Sequence, residues 1–545
     1  MEQSNKPLFS IPRRILFPLL GFIFVGLLMF NLNYGITGNP FFDWNVVYLF
    51  FLLLHWLSSK LFLFAVHKIV RTDEFPFWVT FPLHWSIGLY MTTLAGVVNH
   101  FLKGDLREVM LILLVVVSTS YACFARREGS INIPKPKLKW LLHDELWIMT
   151  IFSGLVVCYF VIWGFNIEFS SYNPDNMQNM HLANLYRFEK VWSLFAKSVS
   201  QQYNQIDYAT LMVPIQSTAI YFVDFRDVMK WMFPFEVIVT FLVFFQRYHL
   251  FKEFGIKKFN AACFSSISVM LTFGGLYQVG TFYNQQILVN YLPTILYFTL
   301  KKRFDWTFLS HVLMFPLHFT MSVFLAAYSA SFFFFTFIQR MEIIRKTNPV
   351  FDFTKFIIVG AFVCLLILES LYTFELNYFV SSTLVSLLSN PQYANTLGFY
   401  SNISIIDILI QGLGPFLTAF MIVSPIVWLF NRKQIPKWCY LIVTGQLFTL
   451  TIPFPVAART FAFMAIPVSL SIYYVLEFLF KNRPKILSFL CLFMVASYIL
   501  WSFTIRTYNL NISGDYVNQH FIYERYLRSL IEAGDEITED FDLEH

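Results

Sequence analysis

Charged residues are scarce in this chain. Asp, Glu, Lys and Arg together make up 13% of the 545 residues, whereas hydrophobic residues make up 57%, and the mean hydropathy is +0.58. A soluble domain has about 25% charged residues, because it must cover an apolar core with a polar surface. The composition therefore excludes a disordered chain, a nucleic-acid-binding protein and a water-soluble enzyme, and it predicts an integral membrane protein.

Cysteine is also infrequent, and its pattern argues against two kinds of site. The six cysteines are dispersed along the chain, with no CxxC pair and no Cys/His cluster. This spacing supports neither a disulfide framework nor a zinc site. The histidines are spread over different apolar segments, so we expect each one to make a structural hydrogen bond between helices. No metal site is predicted.

Long apolar runs dominate what is present. A helix needs about 20 mainly apolar residues to cross the hydrocarbon core of a bilayer. Such runs predict an all-α polytopic membrane protein with about 13–15 transmembrane helices. The predicted spans are 14–32, 45–66, 76–98, 107–125, 146–165, 231–246, 261–279, 287–300, 306–324, 325–339, 353–375, 405–430, 438–452, 461–480 and 486–505.

Lysine and arginine residues recur in every second loop between these spans. With the N-terminus inside, every predicted cytoplasmic loop is basic, as the positive-inside rule requires. We therefore predict a cytoplasmic N-terminus and an external C-terminus. The chain divides into a four-helix N-terminal extension, a cytoplasmic linker, a transmembrane core and an external acidic tail, which are residues 1–125, 126–145, 146–505 and 506–545.

The external loop 166–230 is longer than a connector between adjacent helices needs to be. Its apolar residues from Leu182 to Phe195 recur in steps of three and four, and a second helical stretch runs from about Tyr208 to Phe225. Both are predicted to be interfacial helices that lie along the outer leaflet. Asp175 precedes the first helix, and two roles are open for it. It is either the N-cap of the helix or a catalytic carboxylate that deprotonates or orients an acceptor hydroxyl at the water–lipid boundary. His181, in the same loop, is a candidate substrate ligand.

This arrangement resembles the GT-C-fold glycosyltransferases, which use polyprenyl-phosphate-linked sugars. The resemblance covers residues 146–505 as architecture and Tyr172-Asn173-Pro174-Asp175-Asn176 as sequence. Members of that fold have a catalytic Asp or Glu early in the first external loop of the core, so the resemblance implies this role for Asp175. The chain departs from the family in two respects: asparagines stand where a second acid is expected, and four spans precede the core.

Arg459 is predicted on the outer side, where basic residues are few. An arginine there either pairs bidentately with a phosphate or extends toward lipid headgroups. The resemblance implies the first role, because GT-C enzymes have a comparable external arginine that contacts the lipid phosphate. Tyr283, Asn284 and Tyr400 are outer-side residues that suit a sugar, the last of them in the second large external loop, 377–404. Tyrosines are also common at membrane interfaces, so an anchoring role stays open for them.

The expected function is transfer of a sugar from a polyprenyl-phosphate donor to a glycan or lipid-linked acceptor at the outer face of a bacterial inner (plasma) membrane. Asp175 would act as the base and Arg459 would bind the donor phosphate, which requires the two residues to lie about 8–15 Å apart. Some enzymes of this fold need a divalent cation, but a single Asp is a weak metal site, so no cofactor is expected. Two other classes stay open: a polysaccharide polymerase or ligase, and a flippase or other transporter of lipid-linked oligosaccharides.

Overall fold

The computed structural model describes ten parts of the chain. They are residues 9–34, 40–65, 75–102, 104–124, 130–133, 233–272, 290–301, 303–314, 405–430 and 457–512. The predicted spans at 146–165, 325–339, 353–375 and 438–452, and both large external loops, lie outside these residues.

The described residues are almost entirely helical, as the apolar runs predict. The helices are α1 (Arg13–Tyr34), α2 (Pro40–Ala65), α3 (Phe77–Leu102), α4 (Leu106–Phe124), α5 (Phe233–Glu253), α6 (Lys258–Thr272), α7 (Tyr291–Leu300), α8 (Phe304–Met314), α9 (Ile405–Phe430), α10 (Ala457–Phe480) and α11 (Pro484–Ile512). Each overlaps one predicted span. Two of the described helical segments are long and apolar enough to cross a membrane, Leu106–Phe124 and Pro484–Trp501. Their outward apolar side chains, such as Leu500 at 69% exposure, form a surface suited to lipid.

One short sheet departs from the all-helical prediction. Strand β1 (Phe9–Pro12) pairs antiparallel with β2 (Ser130–Ile133), so that Phe9 lies opposite Ile133. The second strand falls within the predicted cytoplasmic linker 126–145. Four helices separate the two strands, and an even number of passages returns the chain to the end where it started. The backbone groups of both segments are satisfied there by pairing with each other.

The first four helices pack closely because small residues lie between them. A Cβ atom at Gly88 of α3 would lie 2.6 Å from the carbonyl oxygen of His55 in α2. In the same way, a Cβ at Gly21 of α1 would overlap the hydroxyl of Ser118 in α4. Glycine at these positions allows two helix backbones to approach more closely than any other residue permits.

The four-helix unit is joined to the later helices by hydrogen bonds, although the sequence suggests a separate extension. Thr294 of α7 donates from its hydroxyl to the carbonyl oxygen of Val79 in α3 at 3.0 Å. The Tyr291 hydroxyl donates to the Ser86 hydroxyl and to the Pro82 carbonyl oxygen. All of these groups are buried. The N-terminal helices and the core are therefore packed as one body along α3.

Helix α8 packs against α7 and α3, and helices α5, α6, α9, α10 and α11 form the rest of the described body. Helix α6 packs between α5, α10 and α11. Phe264 of α6 makes an edge-to-face contact with Tyr473 of α10, with ring centroids 5.6 Å apart. Asn260 of α6 is hydrogen-bonded to Ser488 of α11 at 3.2 Å. Helix α6 is therefore the central helix of this group.

Three turns gather at one end of this body, which we call the basic end. The Tyr474 hydroxyl donates to the Phe254 carbonyl oxygen at 3.3 Å, and Lys301 forms an ion pair with Glu253 at 2.9 Å. The Arg303 guanidinium lies 5.2 Å from the centroid of the Phe75 ring. The basic end is defined by Lys252, Lys257, Lys258, Lys301, Arg303, Lys481, Arg483 and Lys485. All eight belong to loops or helix ends that the positive-inside pattern predicts to be cytoplasmic.

Candidate functional site

Only one of the predicted site residues falls within the described part of the chain. Asp175, His181, Tyr283, Asn284 and Tyr400 lie outside it, and so does the predicted separation between Asp175 and Arg459. Arg459 lies in the first turn of α10, which begins at Ala457. The structure therefore fixes where this arginine stands along the body.

Arg459 stands at the end opposite the basic end. It precedes Phe480, the last residue of α10, by 21 positions, which at about 1.5 Å per residue is about 32 Å. Phe480 adjoins the turn that holds Lys481 and Arg483. The distance is close to the thickness of a bilayer core, about 30 Å. Arg459 is thus separated from the basic loops by one membrane thickness.

Arg506 reaches the same height on the neighbouring helix α11. The two helices are antiparallel because a tight turn joins them, in which the Arg483 N–H donates to the Phe480 carbonyl oxygen at 2.8 Å. Arg506 follows Pro484 by 22 positions, or about 33 Å. The backbones of the two arginines therefore stand at one level on adjacent helices.

Helix α11 continues beyond the apolar run that predicts its span. The predicted span ends at residue 505, whereas the helix continues to Ile512 and so includes the first residues of the predicted external tail 506–545. A helix satisfies its own backbone hydrogen bonds, so it needs no apolar side chains to extend beyond an apolar layer. Hydropathy marks where apolar residues end and does not mark where the helix ends.

Helix α9 is broken in the middle at Gly414. The residue has φ 77° and ψ 162°, a conformation that is essentially restricted to glycine. Pro415 follows and has no N–H to donate to the preceding turn. The apolar run instead predicts one unbroken span over 405–430. A Gly-Pro pair within a helical pattern is the signal that could have predicted the break.

An apolar groove lies beside this break, between α9 and α11. Its volume is about 370 Å³. The lining residues are Leu413, Gly414, Pro415, Phe416, Leu417, Phe493, Met494, Ser497, Tyr498, Leu500 and Trp501. Phe416 and Leu500 are 53% and 69% exposed, so the groove opens to the outer surface of the helices. We call it the α9–α11 groove.

The α9–α11 groove lies in the half of the body that contains the arginines. Trp501, which contacts Gly414 across the groove, follows Pro484 by 17 positions, or about 26 Å from the basic end. Arg459 and Arg506 are therefore about 6–8 Å beyond it along the helix axes. An apolar groove thus lies beneath two cationic residues.

A group of buried polar side chains lies between α2 and α3. The Ser59 hydroxyl is 2.7 Å from His84 Nδ1, and the Thr92 hydroxyl is 3.4 Å from His55 Nε2. Lys60 lies 5.2 Å from the centroid of the Trp56 ring. Both histidines thus have hydroxyl partners on the neighbouring helix, as expected for structural hydrogen bonds. Among the residues that the structure describes, no group of three or more His, Cys, Asp or Glu side chains is placed to hold a metal ion.

Comparisons of the chain with protein-family models, with curated proteins and with solved structures find no match.

Proposed function

We propose that this protein is an integral membrane glycosyltransferase that transfers a sugar from a polyprenyl-phosphate donor to a glycan or lipid-linked acceptor. The supporting observation is that Arg459 and Arg506 stand at one level, opposite the basic end and directly beyond an apolar groove. A lipid phosphate has the same two parts, an anion joined to an apolar chain. The site therefore matches the lipid phosphate, which is the same in every donor of this class whatever its sugar.

The proposed reaction replaces one bond at the anomeric carbon of the sugar. The oxygen of the acceptor hydroxyl forms a bond to this carbon, the bond from the carbon to the phosphate oxygen breaks, and Asp175 takes the hydroxyl proton. Arg459 neutralises the negative charge that the departing lipid phosphate gains. His181, Tyr283, Asn284 and Tyr400 are proposed to bind the sugar. No metal ion or other cofactor is part of this proposal.

The proposed location follows from the two ends of the body. The basic end faces the cytoplasm, and the end with Arg459 faces outward, in the inner (plasma) membrane of a bacterium. The N-terminus is then cytoplasmic and the C-terminus external. The lipid-phosphate product stays in the bilayer because its chain is apolar, which explains why the reaction is assigned to a membrane protein.

The test is sugar transfer by the purified protein in liposomes, with a panel of polyprenyl-phosphate hexoses as donors. Asp175→Asn should abolish transfer. Arg459→Gln should lower kcat/KM for the donor at least about tenfold, since a charge-assisted hydrogen bond contributes about 1.5–3 kcal/mol and Arg459 acts on the departing phosphate. Arg107→Gln is the matched control, because Arg107 lies at the same end in α4 but is paired with Asp105 at 3.1 Å. Transfer by Asp175→Asn at the unmodified rate would exclude this residue as the base.

A polysaccharide polymerase or ligase is the second candidate, and one observation favours it. Two arginines at one level suit a lipid diphosphate better than a single arginine does. A lipid-diphosphate oligosaccharide should then be a better donor than a lipid monophosphate sugar and should give products of increasing length. A flippase would move either lipid across the bilayer without releasing free polyprenyl phosphate or diphosphate, so measuring that release separates transport from both transferases.

A further inference from the structure

We propose that the α9–α11 groove holds the first part of the isoprenoid tail of a lipid phosphate, with the phosphate at the level of Arg459 and Arg506. The identity of the lipid rests on the proposed function, whereas the position of the tail rests on the groove itself. The occupant is one branched apolar chain, and the two acyl chains of a phospholipid are the alternative that the experiment tests.

The break in α9 is the first argument. Unpaired backbone groups are costly in an apolar layer, so broken helices are found where they are covered by protein or line a cavity. Gly414 is the one residue with a non-helical conformation inside the described helices, and it lies on the wall of the groove. Pro415 and Phe416, which directly follow the break, also line the groove and are exposed. The broken part of α9 thus forms one wall of the groove.

The chemistry of the lining is the second argument. The rings of Phe416 and Phe493 are in edge-to-face contact at 5.9 Å, and the indole of Trp501 lies against Gly414. Ser497 and Tyr498 are the polar residues among those that line the groove. Methyl-branched isoprene units are flat and compact, and they make many dispersion contacts with aromatic faces of this kind. At about 370 Å³ the groove holds only a few such units, so the rest of the tail lies in the bilayer.

The third observation is the order of the groove and the two arginines along the helix axes. The arginines stand about 6–8 Å beyond Trp501, toward the end of the body opposite the basic end. A lipid phosphate in the groove would have its charge at the boundary with water and its chain pointing toward the middle of the bilayer. This is the orientation that the lipid already has in the outer leaflet, so it enters through the open side without turning over.

The experiment uses the full chain in phosphatidylcholine nanodiscs and a polyprenyl phosphate with a photoreactive diazirine on a tail unit near the phosphate. Labelled peptides are identified by mass spectrometry. We expect labels on residues 413–417 and 493–501, and we expect excess unlabelled polyprenyl phosphate to remove them while the same amount of phosphatidylglycerol does not. Labels elsewhere, or equal competition by phosphatidylglycerol, would overturn the assignment.

A matched pair of variants tests the groove without disturbing the core. Leu500→Trp fills the opening, whereas Leu492→Trp makes the same change on α11 outside the groove, and both leucines are more than half exposed. Labelling should fall about tenfold in Leu500→Trp, because losing contact with two methylene groups has roughly this effect, and should stay within about twofold in Leu492→Trp. An equal effect of both variants would contradict the proposal.

The two proposals fail in different ways. If the probe labels the groove but no sugar is transferred from any donor, the glycosyltransferase proposal fails and the lipid site stands. If sugar is transferred and Leu500→Trp changes neither labelling nor transfer, the groove is not the tail site and the proposed function stands.

Discussion

Trp501 lies directly against Gly414 across the α9–α11 groove. A Cβ atom at Gly414 would be 2.9 Å from both Cδ1 and Cγ of the indole. The contact joins α9 to α11 at the place where α9 is broken. The shape of the groove therefore depends on the backbone conformation of Gly414, which only glycine adopts readily.

Gly414→Ala should destabilise the protein. Alanine at φ 77° and ψ 162° is strained by about 1–3 kcal/mol, and its methyl group would also displace the Trp501 ring. The free energy of unfolding in detergent should fall accordingly, and labelling of the groove by the lipid probe should be reduced. Gly26→Ala is the control: Gly26 lies in α1 with no atom within 4 Å of an added Cβ, so this change should stabilise the helix by about 1 kcal/mol. If both variants were equally stable, α9 would not be broken at Gly414.

Substitution of two glycines in the N-terminal unit should give graded effects. In Gly88→Ala the methyl group would overlap the backbone of His55, which cannot move unless α2 and α3 separate. We expect a loss of about 1–3 kcal/mol, as for other overpacked sites. In Gly21→Ala the obstacle is the Ser118 hydroxyl, which a change of rotamer can remove, so a smaller loss is expected. Thermal unfolding with Gly26→Ala as the reference measures the order; a larger loss for Gly21→Ala would contradict the close approach of α2 and α3.

The hydroxyl of Thr294 should contribute to the attachment of the N-terminal unit. It donates to Val79 O at 3.0 Å and accepts a hydrogen bond from Gln246 Nε2 at 3.0 Å. Thr294→Val should lower the free energy of unfolding by about 1–3 kcal/mol, because two buried hydrogen bonds are lost. Thr119→Val is the matched control, since the exposed Thr119 bonds only to Val115 O in its own helix, and it should change stability by less than about 0.5 kcal/mol. Equal losses would show that the bond to α3 contributes nothing.

The ion pair at the basic end should make stability depend on pH in the alkaline range. A hydrogen bond from Lys301 to Glu253 raises the pKa of the lysine above its ordinary value of 10.5. The folded state then binds this proton more tightly than the unfolded state does. The stabilisation is therefore fully present below pH 10.5 and is lost as the pH rises through the higher pKa of the folded protein.

Glu253→Gln should remove this dependence. The thermal midpoint, measured from about pH 9 to about pH 11.5, should fall less in this variant than in the unmodified protein. The effect is small because both side chains are partly exposed, and it should decrease in high salt. Glu108→Gln, at the start of α4, is the control and should follow the unmodified protein. A steeper fall in Glu253→Gln would contradict the sign of the pKa change.

Labelling of single cysteines should show that the two ends of the body face opposite sides of the membrane. In a chain without native cysteines, Lys258→Cys lies at the basic end and Leu102→Cys lies at the opposite end of α3, where Leu102 is 70% exposed. A maleimide that does not cross membranes should label only Leu102→Cys in right-side-out vesicles and only Lys258→Cys in inverted ones. Labelling of both from one side would contradict the proposed threading.

The positions of the described helices could be predicted from the sequence, whereas most of the predicted site residues lie outside the described part of the chain. The predicted span 405–430 coincides with α9, and the predicted start at residue 14 lies one position from α1 (Arg13–Tyr34). Apolar runs predict helices well because every backbone group in such a run must be satisfied within the helix itself. Of the predicted site residues, Arg459 lies in the described first turn of α10, and its outer-side location and phosphate-binding role stay predictions. Asp175 stays a prediction.

The sequence by itself determined where the described helices lie, which loops are basic and that the chain has few charged residues to form a polar surface. These properties are local, since they depend on the composition of short windows. Only the tertiary structure decided that α3 joins the first four helices to the core. It also decided that His55 and His84 are hydrogen-bonded to hydroxyls of the neighbouring helix and that Trp501 packs against Gly414. Such contacts join residues 25 to 215 positions apart, as between Ser59 and His84 or Val79 and Thr294. Helical periodicity shows that a residue has a buried face but does not show which helix covers it, because every apolar helix offers a similar surface.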